Sequence, residues 1–371
     1  MKWLTIISER IVGILFERAG ISVGDSPKDD ICINDSSFFS DLLFRGSLGL
    51  GDSYIAEKWD SNKIDELVFK ILSSGIYPEI SDFYEITRII AGKFSNPQNR
   101  TGAKKVIEQH YDLSAGFFAA FLDPYLQYTC GFFDNTESLD EAQIKKMDLV
   151  CRKLKLSRGA RVLDIGCGWG GLARFMQERY GAILTGVTLS KEQAGWIKER
   201  MPQMEMCVCD YRDMPTIMTK KFDAVSAVGI FEHIGHRNYS DFMRTASIVM
   251  KKEGRFLLHT LFTPYPAPAS DPWLNKHIFP NGELPPKEFV LKAAEGYFDQ
   301  CDSDHLAFQE LTPHYFPTLH AWDKNLANAV RMGLVNITEQ EKRKWHFYFM
   351  SCAGAIRARH MKVGQFLFTN K

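Results

Sequence analysis

Arg161-Val162-Leu163-Asp164-Ile165-Gly166-Cys167-Gly168-Trp169-Gly170-Gly171 is the stretch that decides how this chain folds. Arg161 to Ile165 is a short aliphatic, β-branched run with an acid near its end, the pattern of a buried strand. Four glycines follow within six residues, and Leu172, Phe175 and Met176 then recur at helical spacing. Strand, glycine loop and helix begin a βαβ unit, and the loop lets a ligand lie against bare backbone. The glycine pattern is Gly166-x-Gly168-x-Gly170-Gly171, not that of a pyrophosphate reader, and the next strand ends in Thr188 rather than in a ribose-binding acid.

Outward from this loop, strands are expected at 161–165, 182–187, 205–209, 222–228 and 255–260, with helices near 171–180, 190–200 and 239–250. Ser190 with Gln193 reads as a capping box. The proline-rich stretch 262–286 reads as an irregular insertion over the active face. Helices near 315–332 and 339–359 and a strand at 364–368 complete the pattern. The expected fold is α/β, a Rossmann-like sheet in residues 103–371. Residues 1–95 lack strand–helix alternation and form a mostly helical accessory domain, with a polar linker at 96–102. Within it, Val12, Leu15, Phe16 and Ala19 share a helix face, Phe38 to Phe44 form an apolar cluster, and Gly46 to Tyr54 reads as a glycine-punctuated turn.

Lys plus Arg and Asp plus Glu each number 45, so net charge draws the chain toward neither nucleic acid nor an anionic surface; such contact needs a local patch. Lys342-Arg343-Lys344-Trp345 and Lys104-Lys105 are local basic spots that could touch anionic headgroups, though they read more readily as solvated surface. The eight cysteines show no zinc spacing and read as free thiols of a cytoplasmic protein, and no metal site is expected. Met1 to Val23 is apolar but interrupted by charge, an amphipathic helix rather than a span.

Ligands of an open α/β sheet bind outside the carboxyl ends of its strands. That rule selects Asp164, Gly166, Cys167 and Gly168 after the first strand, Thr188, Leu189, Ser190 and Gln193 after the second, and Asp210, Tyr211 and Arg212 after the third. Tyr128 and Thr129 stand in an aromatic, polar segment suited to a pocket wall, or to a packed helical lead-in. Glu232 and His259 end strands at the same edge, where a carboxylate and an imidazole suit proton transfer. The Asp-x-Gly-x-Gly form resembles the first motif of S-adenosylmethionine methyltransferases, whose ligand carries no pyrophosphate.

Longer stretches sharpen that likeness. Arg161 to Gly171, Gly229-Ile230-Phe231-Glu232-His233-Ile234-Gly235, Asp271-Pro272-Trp273-Leu274-Asn275-Lys276, Ile278-Phe279-Pro280-Asn281-Gly282 and Cys352-Ala353-Gly354-Ala355-Ile356-Arg357-Ala358-Arg359 closely resemble cyclopropane-fatty-acyl-phospholipid synthases. Arg18 to Ile21 and Gly46 to Gly51 extend the resemblance over nearly the whole chain. The resemblance implies a class I methyltransferase that adds methylene from S-adenosylmethionine to the cis double bond of phospholipid acyl chains. It also implies a bound bicarbonate as base, cradled by Cys130, Glu232, His259, the Leu261 backbone and Tyr315. Leu261 stands where isoleucine is common, and Phe316-Pro317 replaces a polar pair, which is expected to reshape a loop around Tyr315. Cys352 is a weaker catalytic candidate, more readily a buried thiol. The resemblance further implies a lipid-facing first domain, a homodimer, and peripheral attachment at the inner face of the membrane. Alternatives are a lipid methyltransferase giving branched or hydroxylated chains, a small-molecule N-methyltransferase, and a non-catalytic lipid- or cofactor-binding protein.

Overall fold

The computed structural model describes residues 2–26, 28–77, 98, 114–266, 268–301 and 307–371. The Lys104-Lys105 spot and all of the expected linker except Gln98 lie outside them. In chain order the elements are α1 (Lys2–Arg18), β1 (Cys32–Ile33), α2 (Ser37–Ile55), β2 (Trp59–Asp60), α3 (Ile64–Ser73), α4 (Ala115–Ala119), α5 (Leu139–Lys153) and β3 (Arg161–Ile165). Next come α6 (Gly171–Tyr180), β4 (Ile183–Thr188), α7 (Lys191–Arg200), β5 (Glu205–Val208), α8 (Met214–Ile217), β6 (Phe222–Val228), α9 (Tyr239–Val249) and β7 (Met250–Phe262). The chain ends with α10 (Pro272–His277), α11 (Lys287–Ala294), β8 (Phe298–Gln300), β9 (Phe308–Glu310), α12 (Thr312–Arg331), α13 (Glu339–Arg357) and β10 (Lys362–Asn370).

Two compact units divide these elements. One comprises residues 97–269, 281–318 and 362–371; the other comprises 1–96, 270–280 and 319–361. This corrects the expected catalytic boundary of 103–371. The reason is packing: α13 lies against α3 and α2, and α10 against α2. Gly354 approaches the Asp65 carbonyl so closely that a Cβ would stand 2.5 Å from it. Sequence proximity to the sheet says nothing about which apolar face α13 completes.

The first unit is helical, as expected, with a minimal ladder pairing Cys32 with Asp60 and Ile33 with Trp59. On α1, Val12, Leu15 and Phe16 are buried, whereas Ile6, Ile7, Ile11 and Ile14 are 40–59% exposed. The stretch 46–54 is not a turn. It lies within α2, which kinks at Gly46 (φ 53°, ψ −132°) and then continues. The later glycines permit close contact instead: a Cβ on Gly51 would stand 2.3 Å from Trp273 Nε1.

The second unit is an α/β layer structure. Its sheet runs β5-β4-β3-β6-β7-β10-β8, with β9 also on β10; β5 to β7 are parallel and β10 is antiparallel to β7. Strand residues alternate between two cores. Leu163, Ile165, Val225, Ala227, Phe256 and Leu258 pack with α9 and α11. Val162, Ala224, Leu257 and Leu367 face α5, α6 and α7. Strand order reverses at β3 and β6, where an open sheet forms its ligand crevice. The proline-rich stretch holds α10 and is closed at its base by Thr263–Pro286 and Ala269–Leu284 bridges.

Candidate active site

The glycine loop after β3 has Gly166, Gly168 and Gly170 at φ 74°, 54° and 78°, a left-handed path that favours glycine. Nothing lies within 4 Å of a Cβ built on Gly168, so the backbone there borders open space. Gly171 opens α6 under tighter restraint: its Cβ would fall 1.6 Å from the Tyr125 carbonyl oxygen. Cys167 is buried in the core rather than presented to that space. Asp164 ends β3 fully buried, accepting 2.7 Å from Ser226 Oγ on β6, and burial pushes its carboxyl up to about 6.

After β4, Thr188 Oγ1 donates to Gln193 Oε1 at 2.8 Å and Ser190 Oγ accepts from Gln193 N at 3.2 Å. Only half of the expected capping box forms, because the Gln193 side chain is engaged by Thr188. Leu189 is the half-buried residue between them. After β5, Asp210 caps a short 3-10 turn and pairs with Arg212 at 2.9 Å, while Arg212 also donates to the Gln98 carbonyl at 3.0 Å. Tyr211 is in the core, its ring 5.1 Å from that of Phe242, and burial pushes its phenol up to about 12. Its ring therefore serves packing, leaving the Asp210–Arg212 pair as the polar feature of that edge.

Glu232 lies in a 3-10 turn after β6 and is buried. Its Oε1 accepts the Leu261 N–H at 2.5 Å, so that backbone donor is engaged by the protein itself. Its Oε2 has no hydrogen-bond partner among the described residues. Burial pushes the carboxyl up, opposed chiefly by the Leu261 N–H. His259, on β7, is held well below the usual imidazole range by burial, then by Lys146 and Lys153. It is therefore neutral, with Gln365 Nε2 3.3 Å from its Nδ1.

Cys130 Sγ donates to the Gly131 carbonyl at 3.1 Å and lies 3.7 Å from that of Leu311, and burial raises its thiol, which stays protonated. Leu311 in turn donates to Val363 O at 2.8 Å on β10, the strand that pairs Val363 with Leu261 and Gln365 with His259. Tyr315 is buried in the first turns of α12. The loop expected around it is helix, with Pro317 inside. Cys130, Glu232, His259, Leu261 and Tyr315 thus all belong to the second unit, with Glu232 bonded to Leu261 N and His259 and Leu261 both on β7. Cys352 belongs to the other unit, buried on α13, where burial raises its thiol; a thiol held protonated is no nucleophile.

Tyr128 packs its ring 5.3 Å from that of Phe118, and Thr129 lies so close to Gly229 that a Cβ there would meet its Cγ2 at 2.7 Å. Sequence reading missed what holds this segment. Lys146, fully buried on α5, donates to Gln127 Oε1 at 2.6 Å and Thr129 Oγ1 at 2.8 Å, and Gln143 Nε2 donates to Thr129 O at 2.8 Å. The signal was present in the chain: Gln143, Lys146 and Lys153 share a helix face with Val150, and Gln365 interrupts an apolar strand.

Two observations suit the ligands in question. Open space over the Gly168 backbone fits the cofactor of this fold, and a buried acid oxygen without a partner, in the unit that also holds a neutral imidazole and a protonated thiol, fits a small hydrogen-bonding anion. Sheet order, antiparallel β10 and the glycine loop define a class I S-adenosylmethionine-dependent methyltransferase. Residues 98–366 match the mycolic acid cyclopropane synthetase family, to which the chain belongs. It is 37% identical over 363 residues to the cyclopropane-fatty-acyl-phospholipid synthase of Escherichia coli K12, covering 97% of this chain and 93% of that one. The cyclopropane synthase MmaA2 from Mycobacterium tuberculosis superposes with a TM-score of 0.64 at 29% identity, over 72% of this chain and 98% of that one. The mycolic acid cyclopropane synthase CmaA1 complexed with SAH and CTAB gives 0.63 at 30% identity, again over 72% and 98%.

Proposed function

We propose that this protein forms cyclopropane rings in membrane phospholipids, adding a methylene unit from S-adenosylmethionine to the cis double bond of an unsaturated acyl chain. The observation that carries the reading is Glu232: a buried carboxylate with one oxygen on the Leu261 N–H and the other unpartnered, at the edge that also carries His259 and Cys130. The 37% identity to the E. coli synthase over 97% of the chain supports the same substrate class.

Bound at the glycine loop, S-adenosylmethionine supplies an electrophilic methyl group. The double bond is the nucleophile; loss of one proton from the transferred methyl closes the ring, so the products are cyclopropane, S-adenosylhomocysteine and a proton. Cys130, Glu232, His259 and Tyr315 would hold bicarbonate, which would supply the base there. Neutral His259 can share the proton, and Glu232, raised by burial, is suited to orient a protonated anion rather than repel it. The buried surroundings of these groups exclude water from a cationic acyl chain. Tyr128 or Tyr315 can stabilise such a cation by about 0.5–2 kcal/mol.

Among the described residues no helix is long and apolar enough to cross a membrane. The exposed isoleucines of α1 support a first unit that meets the bilayer as a peripheral protein, which we further propose acts from the cytoplasmic side as a homodimer. The basic spot at 342–345 contributes little there. Arg343 is engaged within its own unit, donating to Tyr54 O at 2.7 Å and Trp59 O at 3.0 Å.

The test is purified protein with unsaturated phospholipid vesicles and labelled methyl donor. The product acyl chain gains one CH₂ without added hydrogen or oxygen, and the rate falls in bicarbonate-depleted buffer and returns on repletion. A branched or hydroxylated chain, or transfer only to a small amine, overturns the reading.

A further inference from the structure

Lys146 is where the fold spends more than holding the chain requires. It is fully buried on the α5 face that covers the sheet's own polar row. Strand alternation and register put Asp164, Ser226, His259 and Gln365 on that same face, in line with Val162, Ala224, Leu257 and Leu367. A buried ammonium is expensive unless paired. Yet both acceptors of Lys146, Gln127 Oε1 and Thr129 Oγ1, are neutral. Gln143 holds the same strip through Thr129 O with an uncharged amide. Tethering alone therefore needs no cation, and what Lys146 adds is charge. That charge acts on Asp123 and Cys130 from the preceding loop, Asp164 on β3 and His259 on β7; Lys153, on the same helix, also acts on His259.

We propose that Lys146 is a positioning residue of the active site: its ammonium pins the Gln127–Cys130 strip and places positive potential at the edge carrying Cys130 and His259, so that a small anion is favoured there. The proposal rests on the anion-assisted methylene transfer argued above. It explains why an acid-lined edge, with Asp164 and Glu232 buried, can accept an anion at all.

The experiment uses the full chain and the variants K146M, K146R and T129V. Four readouts are taken: half-saturating bicarbonate, the pH profile, S-adenosylhomocysteine affinity by calorimetry, and amide exchange over residues 127–131. Burial pushes Lys146 down to about 8, against Asp123, Cys130 and Asp164, which pull it up, so the wild-type rate falls on an alkaline limb near pH 8. K146M loses at least tenfold in rate, raises half-saturating bicarbonate at least tenfold, lacks the alkaline limb and exchanges faster over 127–131. K146R moves the limb to higher pH and recovers most of the rate. T129V speeds exchange but keeps the limb. K146M with wild-type bicarbonate response and limb, or K146R with the limb still near 8, overturns the proposal; the K146R result decides even where K146M does not fold. A wild type that makes no cyclopropane, with exchange and cofactor-product affinity unchanged in K146M, sinks both readings. If those two readouts still respond to K146M, the reaction assignment alone fails.

Discussion

Three acids in each unit are treated in opposite ways, while a further acid of the second unit, Asp223, follows the first pattern, with Lys251 and the Arg161 N–H holding it low against burial. In the first unit, burial pushes Asp30 and Asp52 up, but Lys70 and Ser22 on Asp30, and Lys276, His277 and Arg45 on Asp52, outweigh it and hold both below the usual carboxylate range. Asp65 is held low by His320 against burial. At Asp123, Asp164 and Glu232 of the second unit burial wins, and all three are raised. Saturated acids contribute to the fold. Acids left raised by burial cost stability and persist where chemistry uses them.

The strongest way to break this comparison is Glu232→Gln. It should cut cyclopropane formation by about 10²–10⁴-fold. Calorimetry should find S-adenosylhomocysteine affinity within a few-fold, and the melting temperature should not drop, since an uncompensated buried acid is gone. A variant that melts early with its rate intact would make Glu232 a structural acid. Gly171→Ala comes next. Its Cβ meets backbone, Tyr125 O, which cannot rotate away, so overpacking of about 1–3 kcal/mol should fall on the 125–130 segment. Cofactor-product affinity should drop at least tenfold; normal affinity would show that the segment yields freely.

Asp52→Ala addresses the opposite class. It strands Arg45, Lys276 and His277, whose side chains are 39%, 52% and 21% exposed, so solvent screens most of the loss and denaturant melts should register about 1–2 kcal/mol. Cofactor-product affinity should be unchanged. The smallest effect is in pH. Asp30, Asp52 and Asp65 have folded values below their unfolded ones, so their contribution is present at neutral pH and lost as pH falls through about 4 and below. Asp164 has the opposite sign: its contribution is full below its unfolded value and lost as pH rises through about 6. Amide exchange followed from pH 4 to 7 should tighten the first unit and loosen the β3 edge of the second. Parallel changes in both would erase the distinction.

The glycine loop, the alternating strands and the ends of β6 and β7 were legible because period-two apolar runs and punctuating glycines act locally. Strand ends at Glu232 and His259 could be found from that alone. The stretch 46–54 was misread because glycine serves turns and close packing alike, and only Trp273, over two hundred residues away in the chain, tells which. The Thr188–Gln193 bond is likewise invisible in a string, since both side chains suit a ligand as well as each other. Lys146 was overlooked because a lysine on a helix is ordinarily solvated, and no local pattern announces that it is buried.

By itself the sequence determined the class of the sheet and its glycine loop, since these follow from short-range spacing that backbone geometry obeys, and its longer motifs carried the resemblance to the family. The tertiary structure alone decided that 319–361 packs with the first unit, that Leu261 N–H already serves Glu232, and that a buried cation lies over the polar row. Those outcomes depend on which faces meet, and burial, which sets the charge and the partner of every group in the site, exists only once they do.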